Sequence, residues 1–270
     1  SADMTASIDA NTAIGEVSAV VAELPAYIAG SSAAAAQSHA PSATAYDDID
    51  IFYASDSGII AGVQRLINAG FKVDDRHQRV WARWLKMGMG KWHTHSLKLH
   101  SATQPSMEVN CIFKLVDGHP TTSAAQLIES FDFGLLSHAF DLELMIWRDM
   151  RSYLFPAHQP DGPLPLLPLR KETWENGFIS QYQGLREVGR YAKYIDYGWD
   201  LSLVKPSLIE GYWNVASYMR DRGDAEKIQL AEIYESIATL MEDDDIDKLR
   251  AAGKEILFED DLDRVMQALE

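Results

Sequence analysis

Apolar positions recur at two different periods along this chain, and the changes between them mark out its elements. From Asn11 to Glu23, the residues Ile14, Val17, Val20 and Val21 fall on one side of a helix that Pro25 ends. Ala26 to Ala29 is a short apolar strand leading into Gly30-Ser31-Ser32. The Ala-rich stretch Ser32 to His39 then reads as a helix with Ser at its cap. Asp48 to Tyr53 alternates polar and apolar residues, as a strand does. Gly58 to Ala69 returns to helical spacing through Ile59, Ile60, Val63, Leu66 and Ile67, and Gly70 closes it.

Beyond Gly70 the pattern turns β-like. Val80 to Leu85, Trp92 to His100 and Met107 to Val116 read as strands, split by Met87-Gly88-Met89-Gly90 and by Gln104-Pro105. Thr122 to Glu129 reads as a short helix, and Phe131 to Leu136 and Phe140 to Ile146 as further strands. Pro156, Pro160, Pro163, Pro165 and Pro168 punctuate the next stretch, which reads as a linker or a wrapping arm. Helical spacing then runs to the end, over Lys171 to Tyr197, Lys205 to Arg222, Asp224 to Met241, Ile246 to Ala252 and Asp260 to Leu269. The expected architecture is α+β: a mixed sheet with helices over 1–155, a Pro-rich linker over 156–170, and an α-helical domain over 171–270. No internal repeat is present.

Charge narrows the partners. The chain carries 24 Lys and Arg against 40 Asp and Glu, a formal net charge of −16. Such a surface repels nucleic-acid backbone and anionic membrane over most of its area, so extended DNA binding is not expected. A small nucleotide held through a metal stays compatible, because the cation supplies the positive charge. Cys111 is the single cysteine, which rules out an intrachain disulfide and a cysteine-rich metal site and fits a reducing, cytoplasmic compartment. The apolar stretch Val17 to Ala36 has nothing basic before it, since Arg65 is the first basic residue, and Glu23 and Pro25 interrupt it. It reads as helix and strand, not as a targeting segment. No apolar run is long enough to span a bilayer, so no membrane partner is expected. Ser1 in place of Met reads as a processed or tagged terminus.

The candidate chemistry lies in two early segments. Asp48 and Asp50 are separated by one residue on a strand, so both carboxylates point to one face and can clamp divalent cations together, with Ile49 and Ile51 on the opposite side. Gly30-Ser31-Ser32 offers backbone donors and hydroxyls at a helix start, where a phosphate is favoured. Lys98 is a candidate to reach a phosphate. On a later helix Arg186, Arg190, Lys193 and Tyr194 recur at three- and four-residue spacings. They read either as a basic stripe over a nucleotide, with Tyr194 stacked on its base, or as internal partners of Glu187 and Asp196. His93, His95 and His100 lie close together, but no neighbouring carboxylate or cysteine completes a zinc site, so they read as polar-face residues. Ser137, His138 and Asp141 carry no nucleophile elbow, and adjacent Ser and His on a strand face apart, so a hydrolase triad is set aside.

The order of Gly30-Ser31, helix, then Asp48-Ile49-Asp50 resembles the DNA polymerase β-type nucleotidyltransferase superfamily, whose signature is an apolar residue, Gly and Gly or Ser, followed by two acids flanking an apolar residue. More narrowly, the chain is similar to nucleotidyltransferase-like proteins of tailed phages and large DNA viruses. The segments behind that likeness are Thr94-His95-Ser96-Leu97-Lys98-Leu99, Val109-Asn110-Cys111-Ile112, Ser130-Phe131-Asp132-Phe133 with Phe140-Asp141, and Arg190-Tyr191-Ala192-Lys193-Tyr194 with Gly198. The likeness covers residues 26–200.

The resemblance implies a polymerase β palm-like mixed sheet. It also implies an enzyme that uses Mg²⁺ or Mn²⁺ to transfer a nucleoside monophosphate from an NTP such as ATP to an acceptor hydroxyl, releasing pyrophosphate. Gly30, Ser31, Ser32, Lys98, Arg190, Lys193 and Tyr194 would bind the nucleotide. The acceptor stays open between a small molecule, a protein and an RNA end, and a phage or viral source would make the compartment the host cytoplasm. Two departures stand out. The gap from Gly30 to Asp48 is long, which implies an inserted loop around Ala40-Pro41-Ser42. The third carboxylate, expected on a neighbouring strand, has three candidate positions: Glu108, Asn110 and Asp132. Asp132 is favoured, because a carboxylate between Phe131 and Phe133 is expensive to bury without a charged partner and a metal would be one; Glu108 is the substitute. The alternative is that Asp132 ion-pairs or caps a turn and that the chain is a catalytically inactive binding or assembly module of this fold.

Overall fold

The computed structural model describes residues 8–38, 44–90, 95–104, 107–159, 161–176, 181–256 and 262–270. The loop expected around Ala40-Pro41-Ser42, and His93, Pro105 and Pro160, lie outside them. The chain forms two compact units, one of Ser1–Phe131 with Leu135–Pro156 and one of Asp132–Gly134 with Ala157–Glu270.

The first unit is α+β. It runs α1 (Ala10–Val20), β1 (Ala26–Ala29), α2 (Ser31–Ala36), β2 (Ile49–Tyr53), α3 (Asp56–Asn68), β3 (Phe71–Val73) and α4 (Gln78–Met87). There follow β4 (His95–Ser101), β5 (Glu108–Phe113), β6 (Leu115–Val116), β7 (His119–Pro120), α5 (Ala124–Glu129), β8 (His138–Asp141), β9 (Ile146–Asp149) and α6 (Arg151–Leu154). Seven strands form one mixed sheet in the order β3-β4-β5-β2-β1-β8-β9, while β6 and β7 make a separate ribbon. β2 and β5 are the parallel pair, and the other neighbours are antiparallel.

The register divides the sheet into two chemically different faces. Ile51 stands opposite Ile28 and Cys111, and Cys111 opposite Leu97. These side chains, with Ile49, Leu99 and Val109, are buried against Ile14 and Val17 of α1 and Ile59, Val63 and Leu66 of α3. Burying each such aliphatic side chain contributes about 1.5–3 kcal/mol, which fixes the register, since a slip by one residue would turn the acids inward. The intervening positions form the other face. Asp50 stands opposite Asn110, Asn110 opposite Lys98, and Glu108 opposite His100. α3 starts two residues before the expected Gly58, because Ser55 accepts from the Gly58 amide at its N-cap.

Three expected elements are corrected. Val80 to Leu85 is not a strand but part of α4. A strand would bury Val80, Ala82 and Trp84 together, whereas Trp81 and Trp84 are buried and Ala82 is exposed, which is a helical grouping. Phe131 to Leu136 is a turn containing a short 3-10 segment, Gly134–Leu136, and Phe133 makes only an isolated bridge to Leu166. Phe140 to Ile146 is the tip of the β8–β9 hairpin, where Asp141 Oδ1 accepts from the amides of Glu143 and Leu144, both at 3.0 Å, and turns the chain.

The second unit is helical: α7 (Pro168–Glu175), α8 (Gln181–Asp196), α9 (Lys205–Arg222), α10 (Ala225–Glu242), α11 (Ile246–Ile256) and α12 (Leu262–Leu269). The helix expected over Lys171 to Tyr197 is thus two helices. An aromatic column of Trp174, Tyr212 and Tyr234 fills its centre, with ring centroids 4.7 and 5.7 Å apart. α8 and α11 touch backbone to backbone at Gly189 and Gly253, where a Cβ on Gly253 would stand 2.5 Å from the Gly189 Cα. The Pro-rich segment is an arm of this unit: Leu164, Leu166 and Leu167 are buried, the Gly134 amide donates to the Pro165 carbonyl, and the Leu167 amide donates to the Asp132 carbonyl. Among the described residues no helix is long and apolar enough to cross a membrane.

Candidate functional site

β1 ends at Gly30, whose φ of +88° is left-handed space that L side chains rarely adopt. The turn brings the start of α2 against β2. Ala29 lies opposite Asp50, and a Cβ on Gly30 would stand 3.0 Å from Asp50 Oδ2, so the absent side chain makes room for that carboxylate. The Ser31 hydroxyl accepts from the Asp47 amide at 3.1 Å, which ties the turn to the residue preceding Asp48. Ser32 is fully buried, and its hydroxyl has no hydrogen-bond partner among the described residues. Gly30, Ser31, Asp48 and Asp50 are therefore brought together by backbone register and one serine bond.

Lys98, on β4, completes this face. Its ammonium lies 3.3 Å from Asp48 Oδ2 and 3.5 Å from Glu108 Oε2. His100 continues the row of polar contacts, with Nδ1 3.4 Å from Glu108 and Nε2 2.7 Å from Asp74. Burial pushes the Asp48 carboxyl above its ordinary range, with Lys98 pulling it back and Glu108 and Asp47 adding to the rise. Burial alone would lower the Lys98 ammonium, but Asp48 and Glu108 outweigh it and hold its pKa up. Lys98 is itself fixed by its backbone: its amide donates to His77 Nδ1 at 2.8 Å, and its carbonyl accepts from the Asp74 amide at 2.8 Å. His77 and Asp74 carry no sequence signal for this, since no spacing ties them to Lys98.

Carboxylates are hard oxygen donors suited to Mg²⁺ or Mn²⁺, and the ammonium seated between Asp48 and Glu108 is a positive charge this face already accepts. Asp48 and Asp50 fit a divalent cation in donor chemistry. Among the described residues no three His, Cys, Asp or Glu side chains converge as a ready-made metal site.

The remaining candidates belong to the helical unit. Arg190 grips Asp132 with both arms, Nε to Oδ2 and Nη2 to Oδ1 at 3.1 Å. Burial would raise the Asp132 carboxyl, but Arg190 outweighs it and holds the pKa at about 2. The alternative reading of Asp132, as an ion-pair member, is thus what its surroundings present, with Arg190 as partner. Beside it, Glu187 Oε1 accepts from Arg170 at 2.7 Å and from Gln183 at 2.8 Å, while its buried Oε2 has no hydrogen-bond partner among the described residues. Burial, then the Asp132 charge, push Glu187 up to about 8 against the pull of Arg190 and Arg170. Tyr194 is 2% exposed, edge-on to Phe133 at 5.3 Å, with Lys193 4.9 Å over its ring, so it offers little face to a base. Arg170 and Gln183 are members of this cluster that the sequence reading missed; the one signal was Glu187, three residues before Arg190.

No protein-family model matches the chain, and no curated protein or solved structure gives a significant match.

Proposed function

We propose that the first unit is a metal-dependent nucleotidyltransferase of the polymerase β type. The observation that carries this reading is the junction of the Gly30-Ser31 turn with the Asp48-x-Asp50 strand, where Asp50 Oδ2 fills the space a Gly30 side chain would take and Ser31 holds the Asp47 amide. A phosphate-turn and a carboxylate pair have no structural need of each other; chemistry on a metal-bound triphosphate needs both in one place.

In the proposed reaction the acceptor hydroxyl oxygen bonds to the α-phosphorus of an NTP, the bond from that phosphorus to the α,β-bridging oxygen breaks, and pyrophosphate leaves; the hydroxyl proton passes to solvent or to a carboxylate. Asp48 and Asp50 would hold the divalent cations. When bound, these neutralise the triphosphate and polarise the hydroxyl. Gly30, Ser31 and Ser32 would take the β- and γ-phosphates, with the Ser32 hydroxyl as an available donor. Glu108, on the parallel neighbour of β2, is the better third acid. Asp132 is committed to Arg190. Lys98 would turn from Asp48 to a phosphate as the cation arrives.

Incubation with α-labelled NTPs and Mg²⁺ or Mn²⁺ tests the proposal. Metal-dependent release of pyrophosphate, abolished by Asp48→Asn and by Asp50→Asn, is the expected result. Nucleotide binding untouched by either change contradicts it. The seating of Lys98 between Asp48 and Glu108 favours one second reading, an inactive nucleotide-binding module, which would bind NTP without turnover.

A further inference from the structure

The net charge of −16 conceals a local reversal. Between Asp56 and Glu108 the sequence holds eight Lys and Arg and only two acids, Asp74 and Asp75. Lys72 and Arg76 lie against those two acids. The cations of α4 do not: Arg79, Arg83 and Lys86 are exposed and make no ion pair or hydrogen bond among the described residues. Their spacing, four residues and then three, stacks them on one stripe of the helix, opposite the buried Trp81 and Trp84. Exposed Met87 extends this stripe at the helix end.

We infer that this stripe is a docking surface for the phosphate backbone of a single-stranded nucleic acid, and that the acceptor of the proposed transfer is the end of such a strand. The second half rests on the nucleotidyltransferase reading; the first does not. Three like charges held within about two helical turns, with no acid among them, repel one another unless a polyanion lies along them. A single strand supplies evenly repeated phosphates to such a row. The helix that carries the stripe follows directly on the candidate site's own strand pairing. The turn that opens α4 is pinned to β4 at Lys98 itself, through His77 Nδ1 and the Asp74 amide. An anionic membrane fits less well, because Trp81 and Trp84 of α4 are spent on the protein's own core, which leaves Leu85 and Met87 as the large exposed apolar side chains beside its charges.

The test is fluorescence anisotropy of a labelled twelve-nucleotide RNA against the full chain at several salt concentrations. Three phosphate contacts predict a log–log salt slope of about −2, so that affinity falls roughly 20-fold between 50 and 200 mM salt. The triple change Arg79→Ala, Arg83→Ala, Lys86→Ala, checked for folding by its thermal melt, abolishes the slope and weakens binding at least tenfold. Removing the same charge elsewhere, by Lys227→Ala, Lys248→Ala and Lys254→Ala, leaves binding unchanged. The transfer assay on the wild type is read separately, so a failed transfer with intact RNA binding overturns the enzymatic reading and not the surface. Equal RNA binding by wild type and the α4 triple variant overturns the surface. So does stronger binding of polyglutamate or of phosphatidylserine vesicles than of RNA.

Discussion

In the sheet, Lys98 reaches Asp48 and Glu108 while all three side chains keep between 18% and 33% of their surface in solvent. In the helical unit, Arg190 and Arg170 reach Asp132 and Glu187, whose side chains are 6% and 0% exposed. Both groups combine two acids with basic side chains, yet they behave differently. An ammonium on a flexible stem among part-exposed carboxylates can swing away and yield its place to another cation. A guanidinium fork on a sealed carboxylate cannot, because the acid would stay buried without a counter-charge. Burial around a charge, more than the charge itself, separates the group that can exchange a ligand from the group that holds a fold.

The largest effect that would break this comparison is the pH response of Glu187. Its carboxyl ionises near 4.5 unfolded and at about 8 folded. Below both values it is protonated in either state. Between them the unfolded chain loses the proton and the folded chain keeps it, so stability falls as pH rises through that window. Glu187→Gln keeps the acceptor for Arg170 and Gln183 and cannot ionise. Its stability advantage over wild type should therefore grow from pH 5 to pH 8 in urea denaturation; parallel pH profiles would show that Glu187 is not held neutral.

Next in size is Arg190→Ala, which strands the buried Asp132 and should lower the unfolding free energy by about 3–5 kcal/mol. A loss under about 1 kcal/mol would put both clusters in one class. Gly30→Ala forces a side chain into left-handed backbone and against Asp50 Oδ2, for an expected loss of about 1–3 kcal/mol together with nucleotide binding. Smallest is Lys98→Met, with about 1 kcal/mol or less in stability because the pairs are part-exposed. Calorimetric titration should instead find tighter Mn²⁺ binding, since the competing ammonium is gone; unchanged or weaker binding would mean that Lys98 is not a stand-in for a metal.

The parts of the fold legible in the sequence are those with local punctuation. β1 is bounded by Pro25 and Gly30, and α3 is closed by Gly70, each acting on its immediate neighbours. α4 was not legible, because Val80, Trp81 and Trp84 are residue types that favour strands, and only the core decided which of them turned inward. Asp132 illustrates the limit at the site. The cost of burying it between two aromatics can be read from the chain; the identity of its partner cannot, since Arg190 lies 58 residues away. Glu108 is the converse case, named from the sequence only as the substitute for Asp132, until the β2–β5 pairing and the shared contact with Lys98 set it beside Asp48.

The central claim is that the acids facing Gly30 and Lys98, and not the sealed acids of the helical unit, receive a metal-bound nucleotide. Isothermal titration of an NTP with Mg²⁺ into the wild type, Asp48→Asn and Asp50→Asn tests it most directly. The account predicts saturable binding by the wild type that either change abolishes while the thermal melt stays intact. Binding of equal strength in all three proteins, or none in the wild type, would contradict it.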